Sequence, residues 1–179
     1  MALLLVLGTL LMGCTDISEP VAESPSSEEL ASTQPEITEP EITLSGPGQL
    51  LEVSAIAQIK DQTFQLEVAN TPQQQALGLM FRSELPANRG MLFPFSAPRR
   101  ASFWMKDVPV ALDMVFLREG KVVEVVTAPP CAAGPCETYG PANNQIVDSV
   151  LELRAGRGEE LGLQPGDTVE IQPLPAAEG

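Results

Sequence analysis

The chain has 179 residues, of which 24 are acidic and 10 are basic, so its formal net charge is −14. Because binding to a nucleic-acid backbone needs clustered Lys and Arg, this balance argues against a nucleic-acid partner. The chain contains no histidine, which excludes a Ser-His-Asp triad, a Cys-His pair and every imidazole metal site. A chain of this length is typical of one domain.

The N-terminal residues are predicted to form an export signal. Residues 1–12 are apolar and uncharged and are followed by Gly13 and Cys14. This run is shorter than the roughly 20 residues that cross a membrane, but it suits the apolar region of a signal peptide. The ending 11–14 resembles the bacterial lipobox, in which the cysteine is acylated. We therefore expect residues 1–14 to be a lipoprotein signal peptide and Cys14 to be the lipidation site. An ordinary signal peptide is the alternative.

Residues 15–48 are predicted to be a disordered linker between the lipid and the domain. They contain seven Glu, one Asp and five Pro, with no Lys, Arg or aromatic residue. Such a segment cannot bury enough apolar surface to offset the entropy lost on ordering. The folded domain is then expected at residues 49–174, with a short C-terminal tail at 175–179.

Short segments separated by Gly and Pro predict a mainly β domain. Phe64, Leu66 and Val68 alternate with polar residues, which is the period of a half-buried strand. Many short strands with frequent turn residues favour a sandwich or barrel over βαβ units. Strands are expected at residues 55–59, 63–69, 91–95, 101–106, 112–117, 121–127, 149–153 and 168–172.

Two short helices interrupt the predicted strands. Thr71 is a good N-cap, Pro72 suits the first helical position, and Gln74 completes a capping box. Gly78 is expected to end this helix after about two turns. A second helix is predicted at residues 157–161.

The remaining cysteines, Cys131 and Cys136, lie in a loop rich in Pro and Gly. Export makes a disulfide between them the expected state, and closing so small a loop stabilises the fold by about 2 kcal/mol. A redox dithiol or a metal site is the alternative. Four residues separate the cysteines, so the spacing does not match a thioredoxin-type motif, and two sulfurs without histidine make a closed zinc site improbable.

Ordered sequence blocks in the domain resemble the DUF192 family, a widespread family of unknown function in bacteria and archaea. The blocks are GLMFR at 78–82, GMLF at 90–93, FWMK at 103–106, LD at 112–113 and LELRAG at 151–156. The resemblance extends from about residue 56 to about residue 171. It implies a compact single domain, a mostly antiparallel β-sandwich of jelly-roll type with one or two short helices. It implies no catalytic residue and no cofactor.

Four charged residues flanked by apolar runs are candidates for a site: Arg82, Lys106, Asp113 and Glu152. A buried carboxylate needs a partner, and we expect Arg82 or Lys106 to pair with Asp113. The favoured interpretation is a structural ion pair that fixes one strand arrangement. The alternatives are a ligand pocket, or an acid–base pair of Asp113 and Glu152 with separated pKa values.

Trp104 and Tyr139 are the only Trp and Tyr of the chain. Stacking platforms use several aromatic residues, so we expect Trp104 to lie in the core or to form the wall of a single cleft. With Arg82 and Lys106, these two aromatic residues are the candidates for ligand binding.

Four methionines fall in the sequence blocks: Met80, Met91, Met105 and Met114. Thioethers favour Cu(I), so these residues are weak candidates for a copper site in an exported protein. Methionine also fills irregular gaps in apolar cores. The core interpretation is favoured, and no metal is expected.

The sequence thus predicts a membrane-anchored lipoprotein facing the periplasm or the cell surface. We favour a non-enzymatic module that binds a small molecule or an envelope protein. The alternative is a small hydrolase or isomerase in which Asp113 and Glu152 face one cleft, about 5–10 Å apart if the chemistry resembles glycoside cleavage.

Overall fold

The computed structural model describes residues 41–131 and 134–175. The predicted signal peptide with Cys14, most of the predicted linker and most of the predicted tail lie outside the described residues. None of the helices in the described part of the chain is long and apolar enough to span a membrane.

The described chain forms nine strands and two short α-helices, which confirms the prediction of a mainly β domain. The elements in chain order are β1 (Val53–Ile59), β2 (Gln62–Val68), α1 (Pro72–Leu77), β3 (Arg89–Arg100), β4 (Phe103–Trp104), β5 (Leu112–Arg118), β6 (Lys121–Ala128), β7 (Thr138–Tyr139), a 3₁₀ turn (Ala142–Asn144), β8 (Ile146–Arg154), α2 (Arg157–Glu160) and β9 (Val169–Pro173).

Seven strands form one curled sheet in the order β6-β5-β8-β3-β2-β1-β9, and β4 pairs with β7 separately. Neighbouring strands are antiparallel except for β2 and β3, which are parallel. The two edges of the sheet meet at one end, where Lys121 bridges to Thr168 and the amide of Val169 donates to the carbonyl of Gly120 at 2.9 Å. The sheet therefore curls almost into a barrel.

Both faces of the sheet are buried at its central strands β3, β5 and β8. The inner core, inside the curl, includes Phe64, Leu66, Leu151 and Leu153. The outer core lies on the opposite face of β3, β5 and β8, and the segments around β4 cover it. Its members include Leu79, Met91, Phe93, Met105, Val108, Met114, Phe116 and Val150. Central strands such as β8 are thus apolar on both faces.

Helix α1 begins as the sequence predicts. The amide of Gln74 donates to Thr71 Oγ1 at 3.2 Å, and Gln74 Oε1 accepts from the Thr71 amide at 3.0 Å, which completes the capping box. Gly78 ends the helix with a φ of 49°, a conformation that glycine adopts without steric cost. This turn directs the following residues across the outer core.

Several predicted elements and boundaries differ from the structure. Residues before the predicted domain start at 49 already contact the domain. The amide of Ser45 donates to Phe81 O at 2.8 Å, and that of Ser83 donates to Thr43 O at 2.9 Å. The strand predicted at 101–106 shortens to β4, whereas β3 extends to Arg100. Strand β7 was not predicted, because two residues carry too little periodicity to be recognised.

Cys131 and Cys136 form a disulfide, with their Cα atoms 5.6 Å apart. This agrees with the pairing expected from the sequence. The disulfide closes the connection between β6 and β7, and Cys131 packs against the outer core.

Candidate functional site

Arg82 is buried in an ion pair with Glu67. Arg82 Nη1 donates to Glu67 Oε1 at 2.7 Å, and Nη2 donates to Oε2 at 2.6 Å. Arg82 Nη2 also donates to the carbonyl of Gln49 at 2.8 Å. Only 1% of Arg82 is exposed. The guanidinium of this ligand-binding candidate is therefore enclosed, and both of its terminal nitrogen atoms are already occupied by protein acceptors.

Glu67 is the important residue that sequence reasoning missed. Its carboxylate also accepts from the Leu51 amide at 2.6 Å and forms a longer contact of 3.4 Å with Arg89 Nη2. Alternation in β2 indicates a half-buried strand, yet Leu66 and Glu67 are both buried, because residues around 49–51 and Arg82 cover the second face. The only available signal was that a buried Arg82 needs a carboxylate.

The expected pairing of Asp113 with Arg82 or Lys106 is wrong. Asp113 Oδ1 accepts from Thr127 Oγ1 at 2.7 Å, and Oδ2 accepts from the Gly158 amide at 2.7 Å. Thr127 is the cross-strand partner of Asp113 in β6. A Cβ at Gly158 would lie 2.9 Å from Val125 Cγ1, so glycine permits this close approach. Asp113 thus attaches α2 to the sheet.

Asp113 and Glu152 point to opposite faces of the sheet. In the pairing of β5 with β8, Asp113 is opposite Leu153, and Met114 is opposite Glu152. Directly opposed residues point to the same side, and successive residues alternate. Leu153 belongs to the inner core and Met114 to the outer core. The sheet therefore separates the two carboxyl groups, and the expectation that they face one cleft is wrong.

Glu152 is a buried acid without a hydrogen-bond partner among the described residues. Only 4% of the residue is exposed, and its one resolved attraction is the longer-range charge of Arg82. Burial raises the pKa of Glu152 from the usual 4.5 to about 8, and Arg82 opposes part of this rise. At neutral pH the carboxyl group of Glu152 is thus mainly protonated.

A narrow cleft connects Glu152 to the surface, and we call it the Trp104 cleft. One wall is the end of α1 with the turn that follows it, up to Met80, and the other wall includes Phe103, Trp104 and Val108. Its volume is about 30 Å³, which is room for a water molecule or an ion. Glu152 is the only ionisable residue among those described that line it.

The short strand β4 places Phe103 inward and Trp104 outward. The Phe103 ring contacts the rings of Phe93 and Phe116 edge-on, with centroids 5.1 and 6.5 Å away. Trp104 is 50% exposed, and Lys106 Nζ lies 5.5 Å from the centroid of its ring. The expectation that Trp104 lies in the core is therefore wrong, and its side chain instead lines the cleft, the alternative that the sequence also offered.

Tyr139 lies apart from this cleft. It pairs with Phe103 across the β4–β7 ribbon and lines a separate surface pocket with Arg100 and Ser102. The structure therefore brings Trp104 and Glu152 to one cleft, with Lys106 against the Trp104 ring, and places Tyr139 in a separate pocket.

All four candidate methionines belong to the outer core or pack against it. Met91, Met105 and Met114 are fully buried, and Met80 is half-buried and lines the Trp104 cleft. Among the residues that the structure describes, no group of three or more Cys, Asp and Glu lies close enough to hold a metal ion.

Residues 55–171 match the model of DUF192, a family described as an uncharacterized ACR. The match covers more than half of the chain, and the chain belongs to this family. The resemblance inferred from the sequence blocks is thereby confirmed.

Two solved structures have the same fold. One is a candidate transcription regulator from Sinorhizobium meliloti, with 30% identity and a TM-score of 0.59 over 69% of this chain and 98% of that chain. The other is a protein of unknown function from Novosphingobium aromaticivorans, with 30% identity and a TM-score of 0.59 over 73% of this chain and 92% of that chain. A search of curated proteins finds no match.

Proposed function

We propose that this protein is a non-enzymatic binding module of the cell envelope and that the Trp104 cleft is its binding site. The observation that carries the proposal is the carboxyl group of Glu152, which is buried without a hydrogen-bond partner below a half-exposed Trp104. This carboxyl group lines the cleft and is not among the solvent-sealed side-chain atoms without a partner, so a molecule in the cleft can reach it. A ligand that reaches Glu152 supplies the missing partner.

The dimensions of the cleft restrict the ligand. A volume of about 30 Å³ admits a small group or an ion, whereas a larger body would have to rest outside, on Trp104 and Lys106. Apart from Gln75 and Glu152 the walls are apolar, so the ligand exchanges water mainly for aromatic, aliphatic and thioether contacts. A binding role is favoured over hydrolysis because Asp113, the second carboxyl group of the enzymatic alternative, lies beyond the sheet.

A nucleic-acid partner is not part of the proposal. The relative from Sinorhizobium meliloti is described as a candidate transcription regulator, but this chain has a net charge of −14. Such a charge opposes approach to a polyanionic backbone.

The envelope location rests on the N-terminal sequence. An apolar run ending in Gly13-Cys14 suits lipidation, and the acidic linker that follows would hold the domain about 30–40 Å from the membrane. The disulfide between Cys131 and Cys136 is typical of proteins outside the reducing cytosol. Replacing Cys14 by Ser tests this part: the variant should leave the membrane fraction and lose metabolic labelling with palmitate. Unchanged membrane retention and labelling would contradict lipidation at Cys14.

The binding site is tested by native mass spectrometry of the full-length protein extracted from its own membranes. A bound molecule or ion should be retained by the wild type and lost from Trp104→Ala and Glu152→Gln. Ile146→Ala is the matched control, because Ile146 is 52% exposed and does not line the cleft. Equal retention by all variants, or no retained species in the wild type, would contradict the proposal.

A further inference from the structure

Strand β3 contains a large bulge at residues 95–98. Its pairing with β8 stops after Pro94 and resumes at Arg99, so the four residues between them stand opposite Asp148 alone. An ordinary bulge places two residues opposite one. Pro98 suits such a segment, because proline cannot donate to the hydrogen-bond ladder of a sheet. Bulges are common next to functional sites, where they redirect a side chain.

The bulge brings the guanidinium of Arg99 onto the ring of Phe95, with Arg99 Cζ 4.0 Å from the ring centroid. Stacking on an aromatic ring orders the planar group and leaves the N–H donors at its edge available. Five of the seven arginines of the chain form ion pairs. Arg99 has no ion-pair or hydrogen-bond partner among the described residues. Its ordered donors are thus free for an acceptor from outside.

A surface recess beside Arg99 gives such an acceptor a place to bind, and we call it the Arg99 recess. Its volume is about 310 Å³, which is within the range of small-molecule pockets. Asn70, Gln75, Phe95 and Ser96 are among the residues that line it with Arg99. The side chains of Asn70 and Ser96 have no hydrogen-bond partner within the described chain. Both can therefore donate to the same ligand.

Gln75 holds the two walls of the recess together. Its Nε2 donates to the carbonyl of Pro94, at the base of the bulge, at 2.8 Å. The same nitrogen donates to the carbonyl of Ala69, which precedes α1, at 3.1 Å. The walls are thus linked before a ligand arrives, which lowers the cost of ordering them on binding.

The Arg99 recess favours an anion although the whole chain is acidic. The described residues that line it include no Asp or Glu. Asp148, the acid opposite the bulge, is engaged elsewhere, because its Oδ2 accepts from the Glu119 amide at 2.6 Å and its Oδ1 from the Ser149 hydroxyl at 3.1 Å. An anion in the recess therefore meets a positive charge that no acid of the described lining cancels.

We propose that the Arg99 recess binds the carboxylate or phosphate group of a small organic anion. The guanidinium of Arg99 receives two oxygen atoms of this group through parallel N–H···O bonds, and Asn70 and Ser96 donate to the same molecule. The recess shares Gln75 with the Trp104 cleft but is otherwise lined by different residues. The inference therefore goes beyond the proposed function and does not depend on it.

The test uses the full-length protein in detergent, at an ionic strength kept constant with NaCl. Isothermal titration calorimetry measures the binding of inorganic phosphate, glycerol phosphate and succinate, with glycerol as the neutral control. We expect saturable binding of one anion per chain, an accompanying rise in melting temperature and no binding of glycerol. Comparison of the phosphates with succinate shows which of the two groups the recess prefers.

Two neighbouring arginines provide a matched pair of variants, since both are exposed and neither forms an ion pair within the described chain. Arg99→Gln should weaken anion affinity by about tenfold or more, because charge-assisted hydrogen bonds are lost. Arg100→Gln removes the same charge outside the recess and should change the affinity by less than about twofold, because salt screens exposed charges. Arg99→Lys keeps the charge but loses the planar fork, and should weaken the affinity by about threefold.

Equal losses in Arg99→Gln and Arg100→Gln would show a general attraction to positive charge and would overturn the site. Absence of saturable binding by all three anions would overturn it as well. Circular dichroism verifies that the variants are folded. Trp104→Ala, which alters only the Trp104 cleft, should keep the wild-type affinity for the anions, and a tenfold loss there would contradict a separate site. The titration thus tests the Arg99 recess, whereas native mass spectrometry tests the Trp104 cleft, and each proposal can fail alone.

Discussion

The raised pKa of Glu152 makes the stability of the domain depend on pH in a predictable direction. The pKa of Glu152 is about 8 in the folded domain and close to 4.5 in the unfolded chain. Between these pH values the folded state keeps a proton that the unfolded state has lost. Stability is therefore fully present below about pH 4.5 and declines as the pH rises toward 8, by about 1.4 kcal/mol per pH unit.

The full change in the free energy of unfolding across this pH range is large enough to measure. A shift from 4.5 to about 8 corresponds to about 5 kcal/mol, at 1.36 kcal/mol per unit. The free energy of unfolding of an ordinary domain is about 5–15 kcal/mol. The contribution of Glu152 would therefore be a large part of the total stability. The chain has no histidine, so the side chains that normally titrate between pH 5 and 8 do not obscure the effect.

The change to make is Glu152→Gln, which keeps the shape of the protonated acid and removes its titration. Urea unfolding with a chelator at pH 5, 6, 7 and 8 should show a falling free energy of unfolding for the wild type and a nearly flat one for the variant. The variant should thus become the more stable protein at high pH. Glu170→Gln, which removes an exposed carboxyl group, should retain the wild-type slope. Parallel curves for Glu152→Gln and the wild type would refute the reasoning.

The other predictions concern the groups that hold the fold together. Arg82→Met leaves the buried carboxylate of Glu67 without its bidentate partner and should cost about 3–5 kcal/mol in urea unfolding; a loss below 1 kcal/mol would show that this pair contributes little. Replacing Cys131 and Cys136 together by Ser opens the disulfide and should cost about 2 kcal/mol, and an unchanged melting temperature would contradict this. Thr71→Ala removes the N-cap of α1 and should lower the free energy of unfolding by about 1 kcal/mol. An unchanged free energy of unfolding would contradict a contribution of α1 to the stability of the domain.

Features determined by neighbouring residues could be predicted from the sequence. The capping box of α1 depends on Thr71 and Gln74, three residues apart, and the structure contains both of its hydrogen bonds. The hairpins β1–β2 and β5–β6 depend on adjacent runs and the turns between them. Short strands with turn residues at regular spacing were likewise sufficient to indicate a mainly β domain.

Side-chain contacts that depend on the order of the strands in the sheet could not be predicted from the sequence. Arg82 meets Glu67 rather than Asp113, because residues after α1 return across β2 and place the guanidinium near Gln49 and Glu67. Asp113 instead meets Gly158, which is 45 residues away. Nothing in local periodicity states which face of β8 carries Glu152, since both faces of that strand are buried. Only the register with β3 and β5 assigns it to the outer core.

The three buried acids of the domain show why the Trp104 cleft is the place to look for function. Glu67 receives two bonds from Arg82 and one from a backbone amide, and Asp113 receives a hydroxyl and an amide. The fold therefore supplies hydrogen bonds to a buried carboxylate with a single arginine side chain or with the amide of a closely packed glycine. Glu152 alone among these three is left without such a donor, and it is also the one that opens to solvent beside an exposed tryptophan. Glu152 is thus the buried acid of the three to which a ligand in the cleft could add a hydrogen bond.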